Sequence, residues 1–291
     1  MERILITGGS GQIGSRVVER LSEIFYSGEE IHLLKREREI KSVDPRYAGE
    51  VKMVDRLNEN YDFTFHLAAN IHTKYNQNPQ WLPKFKEDNV ELTRKVADNS
   101  GRVLLVSSDN VFSGSDGRDY TEEDISNPNP LNTYGVTKAE AERIVLNKGG
   151  DVIRIQTMLG VKSNLIVNRV MDAIEGKDYW PFWNDTFSKP SYFEDFFEVA
   201  KSSYNLGNNE VYHVSTNGEP LSRAQIAYKV LEVYQKNNLP VQRGQFNTEN
   251  CNDINFPRRL VLDSQITQTR LGLKFASVDE ALENHVLYVK D

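Results

Sequence analysis

The chain has 291 residues, with 35 Lys+Arg against 42 Asp+Glu and a formal net charge of −7. An acidic balance with no basic tract beyond the mixed-sign stretch 35–41 argues against nucleic acid or an anionic membrane as partner, and no apolar run approaches the ~20 residues that span a bilayer. A single cysteine, Cys251, excludes an internal disulfide and a cysteine-based metal cage, and no metal is expected because the sequence offers too few convergent ligands. Met1-Glu2-Arg3 passes straight into an apolar run, which leaves no room for a signal peptide, and a reducing, cytoplasmic setting is the expectation.

In chain order, strands are expected at Ile4 to Thr7, Ile31 to Leu34, Val51 to Val54, Phe63 to Ala68, Val103 to Ser107 and Val152 to Ile155. Between the first two, Ile13, Val17, Val18, Leu21, Ile24 and Phe25 fall on one stripe of a helix. Further helices are expected from about Asn89 to Asn99 and from Tyr134 to Leu146, before Gly149-Gly150. Strands alternating with helices define an α/β chain with a Rossmann-type, doubly wound parallel sheet. After about Gly160 the alternation weakens and aromatics accumulate. The expected division is a dinucleotide-binding domain over residues 1–160, to whose sheet a later strand near 211–214 returns, and a smaller, mainly substrate-binding lobe over 161–291. Within that lobe, Ser222-Arg-Ala-Gln225 and Ser277-Val-Asp-Glu280 read as capping boxes opening helices.

The sharpest motif is Thr7-Gly8-Gly9-Ser10-Gly11-Gln12-Ile13-Gly14, directly after the first strand and opening the first helix. Gly8 suits a tight turn, Gly11 a close approach to a pyrophosphate, and Gly14 close packing of helix on strand; Ser10, Gln12 and Ile13 complete the phosphate cradle. At the end of the second strand, where an acid would hold the ribose hydroxyls of NAD, stand Lys35 and Arg36. Either can pair with a 2′-phosphate, so NADPH is favoured and NADH remains open. Asp55 follows the third strand, where a carboxylate can accept from an adenine amino group or simply make a turn.

Ser107-Ser108-Asp109-Asn110 ends the fifth strand, and Tyr134-Gly-Val-Thr-Lys138 follows. Tyr134 and Lys138, four apart, share a helical face. An ammonium beside the phenol is expected to draw its pKa down, allowing proton transfer near neutrality, while Ser108 holds a substrate oxygen. With 13 Tyr in the chain the pair alone is weak, and its order after the glycine motif gives it weight.

Together with His66-Leu67-Ala68-Ala69 and Asn89-Val90, these residues resemble the extended short-chain dehydrogenase/reductase superfamily over most of the chain. Ser107 to Gly114, Tyr120-Thr-Glu122, Pro130, Tyr134, the stretch Phe187 to Asp195 and the stretch Pro257 to Asp263 are similar to its dTDP-4-dehydrorhamnose reductase branch. The resemblance implies reduction of a 4-keto-deoxysugar nucleotide with NAD(P)H, a catalytic Ser108, Tyr134 and Lys138, and dinucleotide contacts that include Leu67, Ala68 and Ala69. It further implies sugar contacts at Asp109, Asn110 and Thr157 and a diphosphate contact at Asn164, the last matched equally by a surface Asn at a helix start. Thr157 stands where the branch usually carries tryptophan, and Asn110 replaces a common tyrosine. Dehydration is disfavoured because Asn110 stands where a dehydratase places Glu. A 4-epimerase and a non-catalytic regulatory subunit like that of methionine adenosyltransferase remain as alternatives. A homodimer is left open.

Overall fold

The computed structural model describes residues 2–25, 28–35, 39–47, 51–57, 59–71, 79–129, 132–162, 165–177, 182–241, 247–252 and 257–290. Its central sheet is built from β1 (Arg3–Thr7), β2 (Glu30–Leu34), β3 (Lys52–Val54), β4 (Tyr61–His66), β5 (Ser100–Ser108), β6 (Asp151–Ile155) and, after four two-residue strands, β11 (Val211–Val214). The spatial order is β3-β2-β1-β4-β5-β6-β11, the doubly wound Rossmann order with a seventh strand added by the returning segment. Parallel registers run from β3 across to β5, with Ile4 lying between Ile31 and Phe63.

Ile4, Leu5 and Ile6 are each 0% exposed, as a continuous apolar run covered on both faces requires. Alternation along the central strands sends the two faces to different helices. Val103 and Leu105 of β5 join Val96 of α3 (Leu92–Asp98) and Ala141 and Val145 of α4 (Thr133–Leu146). On the opposite face Phe63 and Phe65 of β4 meet Phe25 and Tyr204 edge-on, with ring centroids 4.9–5.9 Å apart.

Two helices differ from their sequence patterns. The first, α1 (Gln12–Val18), stops early and a 3-10 turn, Leu21–Glu23, continues the stripe, so that Leu21, Ile24 and Phe25 are still buried. Ahead of α3 come α2 (Leu82–Phe85) and a π-helical turn, Lys86–Glu91, which turns Asn89 inward to 1% exposure. Periodicity reports the buried face, and helices of slightly different pitch share it.

The chain divides into two compact units, one of 1–112, 125–154 and 197–212, the other of 113–124, 155–196 and 213–291. In the second, α5 (Leu165–Ile174), α7 (Arg223–Lys236) and α9 (Val278–Lys290) bury Val167, Val170, Ile226, Val230, Leu282 and Val286 together. Its short strands pair as β7 (Met158–Leu159) with β10 (Ser191–Tyr192), β8 (Phe182–Trp183) with β13 (Thr248–Glu249), and β9 (Phe187–Ser188) with β12 (Leu221–Ser222). Among the described residues, α8 (Gln265–Leu271) also lies in this unit, and α6 (Phe193–Leu206) runs from it into the first, to which residues 197–206 belong. Ser222 and Gln225 form the reciprocal capping box of α7, and Ser277 accepts from the Glu280 amide at the start of α9.

In the same unit His285 is 0% exposed, and its Nδ1 accepts from the Gly160 amide at 2.9 Å, which fixes the neutral Nε2–H tautomer. Burial lowers its pKa to about 4. The unfolded chain takes up this proton near pH 6.5 while the folded one refuses it until about pH 4, so stability is complete above 6.5 and is lost as the pH falls. The loss is about 3 kcal/mol in full. Thermal unfolding at pH 7 and pH 4.5 should therefore cost the parent about 2 to 3 kcal/mol more than His285→Gln, whose amide oxygen keeps the Gly160 bond without titrating. Equal losses in the two proteins would contradict this account.

Candidate functional site

In the first unit the C-terminal ends of the parallel strands gather the motif residues on one edge of the sheet, where open α/β sheets bind ligands. After β1, Gly8 adopts φ +72°, and a Cβ there would lie 2.6 Å from the Ala68 amide nitrogen. A Cβ at Gly14 would lie 2.1 Å from the Gly8 carbonyl oxygen, so the turn closes on itself only with glycine at both places. Gly11, the N-cap of α1, offers no side-chain cap, and the amides of Gln12, Ile13 and Gly14 begin the helix behind it. Ser10 and Gln12 lie at the surface of this turn.

A buried polar chain ties the turn to the helix that carries Tyr134. The Ala68 amide donates to Thr7 Oγ1 (3.2 Å), which lies 2.7 Å from His66 Nδ1. His66 Nε2 lies 2.9 Å from Thr93 Oγ1, whose proton goes to the Asn89 carbonyl (2.5 Å). Thr93 therefore accepts from Nε2–H, and Thr7 donates to Nδ1. From there Asn89 Nδ2 donates to Thr137 Oγ1 (3.1 Å) on α4, and Thr137 donates to the Tyr134 carbonyl (3.0 Å). His66, 1% exposed, belongs to this framework.

Ser108 ends β5 and Asp109 to Val111 turn back in a 3-10 helix. The Ser108 hydroxyl donates to Asp109 Oδ1 at 2.8 Å, and the Asn110 amide nitrogen and Nδ2 donate back to Ser108 Oγ at 3.2 and 3.1 Å. Gly135 lets α4 pass beneath this turn, since a Cβ there would meet the Asn110 carbonyl oxygen at 2.1 Å. The half-buried Tyr134 is thereby brought beside Ser108.

The electrostatics differ from the expected depression of the phenol. Burial and then the Asp109 charge push the Tyr134 pKa well above its ordinary value, against a smaller opposing effect of the Ser108 hydroxyl. Lys138 is 1% exposed, donates to the Val106 carbonyl at 2.7 Å, and is lowered by burial to about 8. In this structure the phenol is proton-loaded and the ammonium is the more easily titrated group.

Lys35 is exposed at the end of β2, where its amide donates to the Val54 carbonyl, and Asp55 is exposed just beyond β3. Leu67, Ala68 and Ala69 follow β4 at partial exposure. Thr157 belongs to the second unit, where its carbonyl accepts from the Ser191 amide. Arg36 and Asn164 lie outside the described residues. The sequence reading passed over Asn132, Thr137, Glu142 and Arg154. Among the described residues no group of three or more His, Cys, Asp or Glu side chains could hold a metal, and no helix is long and apolar enough to cross a membrane.

A glycine-closed strand-to-helix turn on the same sheet edge as a serine, tyrosine and lysine is the arrangement of the extended short-chain dehydrogenase/reductases. Residues 1–289 match the family described as RmlD substrate binding domain, and the chain belongs to it. It is 25% identical over 314 residues to dTDP-4-dehydrorhamnose reductase of Aggregatibacter actinomycetemcomitans, covering 100% of both chains. It is also 29% identical over 168 residues to methionine adenosyltransferase 2 subunit beta of Bos taurus, an alignment covering 54% of this chain and 47% of that one. This chain thus spans about half the length of that relative. The crystal structure of dTDP-4-dehydrorhamnose reductase from Bacillus anthracis str. Ames in complex with NADP superposes with a TM-score of 0.76 at 21% identity, covering 98% of each chain.

Proposed function

We propose that the chain reduces a nucleoside-diphosphate 4-keto-deoxysugar with NADPH. The observation that carries the reading is the placement of Tyr134 beside Ser108, on the sheet edge that also holds the Gly8 to Gly14 turn. The turn fits a pyrophosphate, because a Cβ at Gly11 would fill the space 3.1 Å from the Gly8 carbonyl and the first turn of α1 has no side-chain cap. Ser10, Gln12 and Ile13 would line the phosphates, Lys35 and Arg36 would take the 2′-phosphate, Asp55 the adenine amino group, and Leu67, Ala68 and Ala69 the wall beside the dinucleotide. A bound reduced nicotinamide supplies the hydride.

The chain's own part is the proton. Ser108 positions the ketone oxygen, Tyr134 gives its proton to that oxygen as charge develops, and Lys138, one turn on along α4, would hold the ribose of the bound dinucleotide. Asp109, Asn110, Thr157 and Asn164 are the residues assigned to the sugar nucleotide. The basic Lys35-Arg36 end suits NADPH, and so a reductase, better than a 4-epimerase that retains NAD. A second reading, a dinucleotide-binding regulatory subunit without turnover, is favoured by the similarity to methionine adenosyltransferase 2 subunit beta.

Mixing the protein with NADPH or NADH and a panel of 4-keto-sugar nucleotides, while following the absorbance of the reduced nicotinamide, tests the proposal. Oxidation of NADPH is expected with one member of the panel, with NADPH bound more tightly than NADH and the preference shrinking roughly tenfold in Arg36→Asp. Binding of NADPH with no turnover across the panel would favour the regulatory reading. Equal affinity for NADH, unchanged by Arg36→Asp, would overturn the cofactor preference.

A further inference from the structure

Asn110 was assigned to the sugar by resemblance, yet both ends of its amide are engaged within the protein. Its Nδ2 donates to Ser108 Oγ at 3.1 Å and to Asp109 Oδ1 at 2.8 Å, and its Oδ1 accepts from Asn132 Nδ2 at 2.7 Å. Asn132 is the N-cap of α4, and its Oδ1 accepts from the Gly135 amide at 3.0 Å.

This chain of amides has a direction that one fixed donor dictates. The Gly135 N–H can only donate, so it must face the oxygen of Asn132. Asn132 then presents its NH₂ to Asn110, which must answer with its oxygen and turn its own NH₂ toward Ser108 and Asp109. The orientation of both side chains thus follows from the free N–H at the start of the helix that carries Tyr134.

We propose that Asn110 and Asn132 are positioning residues, a directional amide relay through which the N-terminus of α4 holds Ser108 Oγ and the Asp109 carboxylate in place beside Tyr134. The proposal rests on the reading of Ser108 and Tyr134 as the proton-transfer pair. Two N–H donors from Asn110 occupy the lone-pair side of Ser108 Oγ, and the serine proton points to Asp109 Oδ1 at 2.8 Å. Ser108 is held in one rotamer and Asp109 is held beside the phenol, where its charge adds to the larger effect of burial in favouring the protonated Tyr134. An acceptor at position 110 would instead face the Asp109 carboxylate and compete with it for the Ser108 proton. Recognition of the sugar by Asn110 is correspondingly indirect, through the placement of its neighbours.

Asn132→Asp separates positioning from folding. A carboxylate accepts from Gly135 as well as an amide does, so the cap is retained, but it cannot donate to Asn110. The Asn110 amide must then invert and set its oxygen against Asp109 and Ser108. With NADPH and the keto-sugar nucleotide that the parent reduces, Asn132→Asp should melt with the parent while kcat falls about tenfold or more and KM changes little. Asn110→Ala should lower kcat similarly, and adding Asn132→Asp to it should lower kcat no further, because the relay is already cut. In the NADPH-saturated protein, the side-chain amide resonance absent from Asn110→Ala should shift in Asn132→Asp. Parent kcat with an unmoved resonance, or strictly additive losses, would overturn the relay and leave the reductase reading standing. If no member of the panel is reduced by the parent, that reading fails instead, and the resonance alone decides the relay: a shift supports it, and no shift overturns it.

Discussion

Tyr134→Phe is expected to lower kcat by a factor of ~100 to 10,000, the span associated with losing a positioned proton donor. The ring is half-buried and its hydroxyl faces Ser108, so removing the oxygen leaves the packing of α4 intact and the circular dichroism and NADPH affinity should match the parent. The pH profile adds a sharper reading. A general acid works in its protonated form, so activity is lost as the pH rises through its pKa. Burial and Asp109 hold that pKa well above the ordinary tyrosine value, and the Tyr134 limb of the parent's profile should lie above pH 10. Lys138, lowered to about 8, titrates first, so an earlier alkaline limb should appear there and should persist, at the residual rate, in Tyr134→Phe. Parent turnover by Tyr134→Phe in a folded protein would remove Tyr134 from the role of proton donor.

The central sheet was legible because its innermost strands carry short continuous apolar runs at their centres. Ile4 to Ile6 and Val103 to Leu105 are covered on both faces, and such runs announce themselves without any knowledge of the fold. The glycine turn was legible for a related reason, since a Cβ at Gly8 or Gly14 meets backbone and only one residue type fits. Ends of helices were less legible. The stripe from Ile13 to Phe25 is continuous although α1 stops at Val18, because a 3-10 turn buries the same side chains. The polar framework left almost no trace in the sequence. Asn89, Thr93 and Thr137 are spread over 49 residues of chain, and only folding sets them in one line from Thr7 to Tyr134. Asn132 was passed over because an Asn before a helix reads as a cap, and nothing in the sequence says that its other end reaches Asn110.

The largest stability effect should come from the buried pair beneath the same helix. Glu142, one turn beyond Lys138 on α4, is 1% exposed and Arg154 on β6 is 3% exposed. Arg154 Nε and Nη2 donate to the two carboxylate oxygens at 3.1 and 2.9 Å, Ser126 Oγ donates to Glu142 Oε2 at 2.5 Å, and the guanidinium lies 4.9 Å from the Phe112 ring centroid. Glu142→Leu leaves a guanidinium buried without its carboxylate and is expected to cost ~3 to 5 kcal/mol, roughly 6 to 20 °C in melting temperature for a chain of this size. Glu142→Leu with Arg154→Met removes both charges, and most of the lost stability should return. A double variant no more stable than the single would mean that the pair is held for its own attraction, a net gain that buried ion pairs seldom make. The double variant also separates packing from catalysis. The Glu142 charge supports the protonated form of Lys138, against a burial that already lowers it to about 8. With that charge gone and the fold restored, the ammonium should be lost at a lower pH, and the first alkaline limb of activity should move toward neutrality while the melting temperature does not.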